Sequence, residues 1–220
     1  MSPDRQLVFD LSLRPALGRA DFYVGPANFE AVAWIDRWPD WPQRALAIFG
    51  PPGCGKSHLV QVFAARAAAR VVAAADLRAA AIGELLATSA ALAVEDCDGL
   101  VDERALLHAL NLANELGRSL VMTAREPPAR WPVALPDLRS RLAAVPAAGI
   151  DLPDDAMIEA VLVKLFADRQ LIVAPDVVTY VTRRMDRSFD AARQLVAAAD
   201  RRALAAGTAV TIPLVRTLLD

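Results

Sequence analysis

With 220 residues, a formal net charge of −2, 55% hydrophobic and 23% charged residues, the chain has the composition of a globular protein. Its slightly negative balance gives no electrostatic case for non-specific nucleic-acid binding, and its two cysteines, Cys54 and Cys97, have neither metal-ligand spacing nor the density of a disulfide framework. The first residues carry no signal-peptide core and no apolar run reaches the roughly 18 uncharged residues needed to span a bilayer, so a cytoplasmic location is expected.

Residues 1–20 read as a polar, proline-containing arm with one apolar knot, Leu7-Val8-Phe9-Asp10-Leu11. From 21 to 150 strand-like apolar runs alternate with helix-like segments, the signature of an α/β domain built on a parallel sheet. Strands are predicted at 44–49, 70–75, 90–94, 119–123 and 143–146, and helices at 58–68, 79–88, 103–116 and 137–142. The acidic break Asp151-Leu152-Pro153-Asp154-Asp155 suits a helix start. Beyond it only helical patterns follow, at 154–168, 174–185, 188–206 and 211–219, with Pro213 in a first turn where its missing N–H costs nothing. The expected organisation is therefore an arm (1–20), an α/β nucleotide domain (21–150) and a small all-helical domain (151–220).

Chemistry concentrates after the first strand. Gly50-Pro51-Pro52-Gly53-Cys54-Gly55-Lys56-Ser57 is a complete GxxxxGK[ST] phosphate-binding loop between an apolar strand and a helix that opens with His58-Leu59. Glycines allow the backbone to curl and aim N–H groups inward, and the following helix offers its unpaired amides and positive dipole end. Lys56 is expected on the β/γ-phosphates and Ser57 on Mg²⁺. Cys54 reads either as an oxidation-sensitive thiol or as a tolerated small residue. Later in the chain, Ala91-Leu92-Ala93-Val94 ends in Glu95-Asp96, placing two carboxylates where Mg²⁺ and an attacking water need them. Which of the two meets metal and which meets water is left open. Thr123, ending the 119–123 strand, either approaches the γ-phosphate or simply closes the strand. Arg139 and Arg141, in Leu138-Arg139-Ser140-Arg141-Leu142, are either a solvated helix end or a source of a guanidinium that reaches across a subunit interface.

These pieces in this order resemble AAA+ ATPases of the DnaA/Hda family, the shorter Hda branch most, over roughly residues 21–220. The markers are Phe22-Tyr23-Val24-Gly25-Pro26-Ala27-Asn28, Gly55-Lys56-Ser57-His58-Leu59, Val94-Glu95-Asp96, Thr123 with Glu126-Pro127-Pro128, Leu135-Pro136-Asp137-Leu138-Arg139-Ser140-Arg141-Leu142, and Val210-Thr211-Ile212-Pro213-Leu214-Val215. The resemblance implies an AAA+ P-loop fold with a five-stranded parallel sheet and a helical lid, an ATP or ADP ligand with Mg²⁺, and adenine contacts from Phe22, Tyr23 and Val24. It makes Arg141 the arginine finger and Thr123 part of the first sensor. Gln6-Leu7-Val8-Phe9-Asp10-Leu11 is similar to the peptide by which proteins dock on the DNA polymerase sliding clamp, with Gln6, Leu7 and either Phe9 or Leu11 as anchors.

The function implied is that of an Hda-like regulator: bound to nucleotide and docked on the clamp, it promotes hydrolysis of DnaA-bound ATP and prevents re-initiation. No helix-turn-helix follows the lid in this sequence, so no sequence-specific DNA contact is expected, and self-association is left open. One position departs from the family pattern, for Asp190 stands where a second-sensor arginine is usual, with Arg187 and Arg193 a helical turn to either side. Weak intrinsic ATP hydrolysis is expected from that departure. A helicase-loader or replication/transposition adaptor ATPase is the alternative reading, and a module holding ADP only as a structural ligand a third.

Overall fold

The computed structural model describes residues 23–99 and 102–219. Gln6, Leu7, Phe9, Leu11 and Phe22, and with them the arm at 1–20, lie outside the described residues.

Five strands, β1 (Ala45–Phe49), β2 (Arg70–Ala73), β3 (Ala91–Glu95), β4 (Ser119–Ala124) and β5 (Ala147–Gly149), form one sheet in the order β2-β3-β4-β1-β5. Every pairing is parallel, with Ala45 opposite Leu120, Ala91 opposite Ser119 and Ala47 opposite Ala147. The central strand β4 is buried along its whole length, as a strand covered on both faces must be.

The two faces are read directly from residue alternation. Leu46, Ile48, Ala91, Ala93 and Val121 enter one core with α1 (Phe29–Asp36) and α2 (Lys56–Ala67). Ala45, Ala47, Leu92, Val94, Leu120 and Met122 enter the other with α3 (Ala79–Ala87), α4 (Glu103–Glu115) and α5 (Pro136–Ala143). Where β3 turns only alanines toward α2, the helix answers with large side chains, Leu59 and Phe63, both fully buried. That exchange seats the helix carrying Lys56 firmly on the sheet.

After β5 the described chain is helical: α6 (Asp155–Asp168), α7 (Pro175–Thr182), α8 (Phe189–Ala206) and α9 (Ile212–Leu219). They share a core of their own, including Leu162, Phe166, Val181, Val196 and Val215. Asp154 caps α6 through the Met157 amide at 2.8 Å, and Ser188 caps α8 through the Ala191 amide at 3.0 Å. Each such cap stabilises its helix by about 1 kcal/mol. Among the described residues no helix is long and apolar enough to cross a membrane.

Several predicted bounds shift. The last strand lies at Ala147–Gly149 rather than 143–146, because Leu138 and Leu142 extend the helical period of α5 through Ala143 and Pro146 then stops it. The Pro146 carbonyl still accepts from the Ala47 amide at 2.9 Å, so pairing with β1 begins there. Helix α2 starts at Lys56, two residues before the expected limit, and α7 ends at Thr182, three residues short of it. Helix α1 had no predicted counterpart; its buried Ala31, Val32 and Ile35 do follow helical spacing, within a stretch crowded by tryptophan and proline.

Candidate nucleotide site

The glycine-rich loop leaves β1 at Gly50, whose amide donates to the Ala124 carbonyl at 3.2 Å. A Cβ on Gly50 would lie 2.1 Å from the Ile150 carbonyl oxygen, so only glycine fits where the loop passes β5. The loop ends at Gly55, which caps α2 without a side chain and leaves the first-turn amides of that helix turned toward the loop. Lys56 is buried (9% exposed) and its Nζ donates to the carbonyls of Gly50 at 2.7 Å and Pro51 at 3.0 Å. Thus the ammonium is held within the curl of the loop. Ser57 is exposed on the first turn of α2 and His58 is half-buried beside it. Pro51, Pro52 and Gly53 form the outer rim.

Cys54 faces inward, 1% exposed, with Sγ 3.9 Å from Lys56 Nζ. Burial raises its thiol above the ordinary 9.0 and outweighs the lowering by the Lys56 ammonium. A buried, protonated thiol is the inert form, which favours the reading of a small filler over that of an oxidation sensor.

Parallel strands bring their C-terminal tips to one edge, and with β4 between β3 and β1 the acids of β3 stand one strand away from the phosphate loop. Glu95 is half-buried, and among the described residues its Oε1 is buried with no hydrogen-bond partner. Such an orphaned carboxylate oxygen is costly unless a cation or donor meets it. Asp96 adopts φ +61, which turns it out of the strand into solvent. Thr123 is 1% exposed; its hydroxyl accepts from the Asp96 amide at 3.2 Å and its carbonyl from the Cys97 amide at 2.7 Å. Thr123 therefore ties the tips of β3 and β4 together. No cluster of three or more His, Cys, Asp or Glu that would hold a metal alone exists among the described residues. Mg²⁺ characteristically takes one or two carboxylates plus phosphate oxygens, a donor set that Ser57 with Glu95 or Asp96 would fit, and the orphaned Oε1 is consistent with a cation partner there.

The C-terminal helices complete the pocket. The Phe189 amide, first in α8, donates to the Gly53 carbonyl at 3.0 Å, and its ring lies 3.2 Å from where a Gly55 Cβ would be. A cavity of about 210 Å³ opens between this helix, α6 and the segment before α1. Tyr23, Asn28, Gly55, His58, Phe189 and Arg193 line it, joined by Val161, Lys164, Leu165 and Asp168 from α6. Asn28 shapes its floor, accepting from the Gly25 amide at 2.9 Å and donating to the Tyr23 carbonyl at 2.8 Å. Val24 is half-buried against the α1/α2 core rather than lining the cavity. The two lid arginines part company: Arg193 lines the cavity and pairs with Asp190, whereas Arg187 pairs with Asp155 at 2.9 Å.

The α6 face and Asn28 were not among the predicted site residues. Val161, Lys164, Leu165 and Asp168 follow the i, i+3, i+4, i+7 spacing of one helical face, but spacing alone does not say which face turns toward the nucleotide loop. On α5 the two arginines also differ. Arg139 donates to the Val133 carbonyl, while Arg141 is exposed, and among the described residues its guanidinium has no hydrogen bond or ion pair.

No family model matches the sequence, and no curated protein matches it. Solved structures do. Domain III of the replication initiation protein DnaA from Thermotoga maritima superposes with a TM-score of 0.78 at 18% identity, covering 94% of this chain and 96% of that one. AMPPCP-bound DnaA from Aquifex aeolicus matches with a TM-score of 0.65 at 19% identity, over 84% of this chain and 65% of that one. The Holliday junction branch migration motor RuvB of Thermotoga maritima matches at 0.66 and 14% identity, over 87% of this chain and 65% of that one. The chain has the fold of DnaA domain III and of the RuvB AAA+ structures, a parallel five-stranded sheet followed by helices.

Proposed function

We propose that this chain is an AAA+ regulator of chromosomal replication initiation of the Hda type. It binds ATP or ADP, docks on the DNA polymerase sliding clamp through Gln6, Leu7 and Phe9 or Leu11, and lends Arg141 to the ATP site of DnaA. The observation that carries this reading is on α5. Arg139 is tethered to the segment before the helix while Arg141 is exposed with no hydrogen bond or ion pair among the described residues, in a chain folded like DnaA domain III.

The phosphate loop, Lys56 and Ser57 hold the phosphates, with Tyr23, His58 and the α6 face around base and sugar. Mg²⁺, held by Ser57 and Glu95 or Asp96, supplies neutralisation of phosphate charge in the chain's own site. Nucleotide bridging the loop and α8 orders the lid on the α/β domain. The clamp tether raises the local concentration of the regulator near DNA-bound initiator. Arg141 then stabilises the charge that spreads over the transferred phosphoryl group, a contribution of about 10³–10⁵ in rate in other P-loop systems. Intrinsic turnover is weak, because Asp190 occupies the lid position that faces Gly53 and engages Arg193.

The test measures hydrolysis of ATP pre-bound to DnaA, with this protein and DNA-loaded clamp from one organism. Wild type is expected to stimulate it, Arg141→Ala to bind nucleotide and clamp without stimulating, and Gln6→Ala/Leu7→Ala to lose the stimulation. Absence of stimulation by wild type would move the assignment to a helicase-loader or adaptor ATPase. Full stimulation by Arg141→Ala would remove that residue from its role.

A further inference from the structure

Helix α5 is eight residues long and starts at Pro136 without a side-chain cap from its own sequence. A helix this short does not hold itself in water, and its orientation depends on what anchors its ends. Leu138 and Leu142 bury one face, and Arg139 secures the preceding turn through the Val133 carbonyl. The remaining anchor comes from another element. Glu103, the first residue of α4, spreads its carboxylate over two successive amides, Oε1 accepting from Ala134 at 2.8 Å and Oε2 from Leu135 at 2.6 Å. Glu103 is half-buried, and α4 is itself capped by Asp102, whose Oδ1 accepts from Arg104 and Ala105 at 3.0 and 3.1 Å. A carboxylate on backbone amides at a helix start is a strong charge-assisted contact, and it meets the positive end of the helix dipole.

We propose that Glu103 is a positioning residue for Arg141: its carboxylate clamp on Ala134 and Leu135 fixes the start of α5 and so aims the guanidinium at the helix's far end. This rests on the reading of Arg141 as a finger acting in trans. Each residue of a helix turns about 100°, so a start that slips by even part of a residue swings Arg141 away from the direction set by Leu142 beside it. Loss of the clamp leaves Leu138 and Leu142 to hold α5 by apolar contact alone, which fixes depth better than rotation.

The experiment compares full-length wild type, Glu103→Ala and Glu103→Gln in single-turnover hydrolysis of ATP bound to DnaA, across regulator concentrations. A mispositioned guanidinium lowers the maximal stimulated rate, by about 10- to 100-fold for a displacement near 1 Å, with half-saturation unchanged. Glu103→Ala is expected to show that loss, with nucleotide binding to its own site retained. Glu103→Gln keeps one acceptor oxygen for two amides and is expected to fall between. It also reads the effect if the alanine variant fails to fold. In Arg141→Ala, adding Glu103→Ala is expected to cost nothing further. An unchanged maximal rate in both Glu103 variants, or a loss confined to half-saturation, overturns the positioning role alone. Absence of stimulation by wild type overturns the finger reading and this role with it.

Discussion

The Phe189 amide donates to the Gly53 carbonyl at 3.0 Å, so the longest C-terminal helix begins on the apex of the phosphate loop. Ser188, the cap of that helix, stands where a side chain on Gly53 would have to go. The loop and the start of this helix are thus in direct contact.

Gly53→Ala tests that contact. Gly53 has φ +74, and an added Cβ would lie 2.6 Å from Ser188 Cβ, so the substitution carries both backbone strain and a clash with the lid. Strain of this kind costs about 1–3 kcal/mol. Nucleotide affinity in a fluorescence titration is expected to fall roughly 10-fold or more, with thermal unfolding of the C-terminal helices moving to lower temperature. Unaltered affinity would show that α8 does not need to sit on Gly53 for binding.

Glu95→Gln addresses the orphaned oxygen. Among the described residues Oε1 is buried without a partner, so converting the carboxylate to an amide breaks no hydrogen bond at that oxygen. Stability in denaturant is expected to hold or rise by about 1 kcal/mol. At the same time the Mg²⁺ concentration for half-maximal ATP binding is expected to increase several-fold. A destabilised variant with unchanged Mg²⁺ dependence would make Glu95 a structural residue.

The elements legible in the sequence were those with one unambiguous period. β1, β3 and β4 are short apolar runs, and the phosphate loop announces itself because its glycines answer steric demands that few other residues meet. Less legible was anything decided across space. β5 was misplaced because Ala143-Ala144 suits helix and strand alike, and only the continuing burial of Leu142 in the α5 contact decides for helix. The cavity face of α6 has ordinary helical spacing, and Glu103 looks like any first-turn acid until the chain near Leu135 arrives against it. Arg187 and Arg193 were equivalent in sequence; Asp155 draws one away and the cavity keeps the other.

Asp190→Ala follows from that last distinction. Asp190 pairs with Arg193, and its Oδ2 lies 3.7 Å from the position of a Gly53 Cβ, so a carboxylate stands close to the glycine-rich loop proposed to hold phosphates. Removing it frees the cavity-lining guanidinium and lifts a like-charge repulsion. ATP affinity is expected to rise about 3- to 10-fold, against a smaller gain for adenosine. Equal gains for both ligands, or none, would place Asp190 out of reach of the phosphate tail.

The buried thiols set an alkaline limit on stability. Burial raises both Cys54 and Cys97 above their ordinary 9.0, Cys97 the more strongly, because the interior disfavours the thiolate. The Thr123 backbone hydrogen bond opposes burial, and Asp98, Asp96 and Glu95 each add a smaller push upward. With the folded value above the unfolded one, the stabilisation is fully present below pH 9.0 and is lost as pH rises past it, since only the unfolded chain then releases the proton. Urea midpoints for wild type are therefore expected to fall between pH 9 and 10.5 more steeply than for Cys97→Ala, about 1.4 kcal/mol per pH unit being the ceiling for one group. The alanine variant starts lower at pH 7.5 because it leaves a small cavity, so the comparison is between slopes and not between absolute values. Parallel slopes would mean that Cys97 ionises in the folded protein, which its 1% exposure and its Sγ contact with the Val94 carbonyl at 3.3 Å oppose.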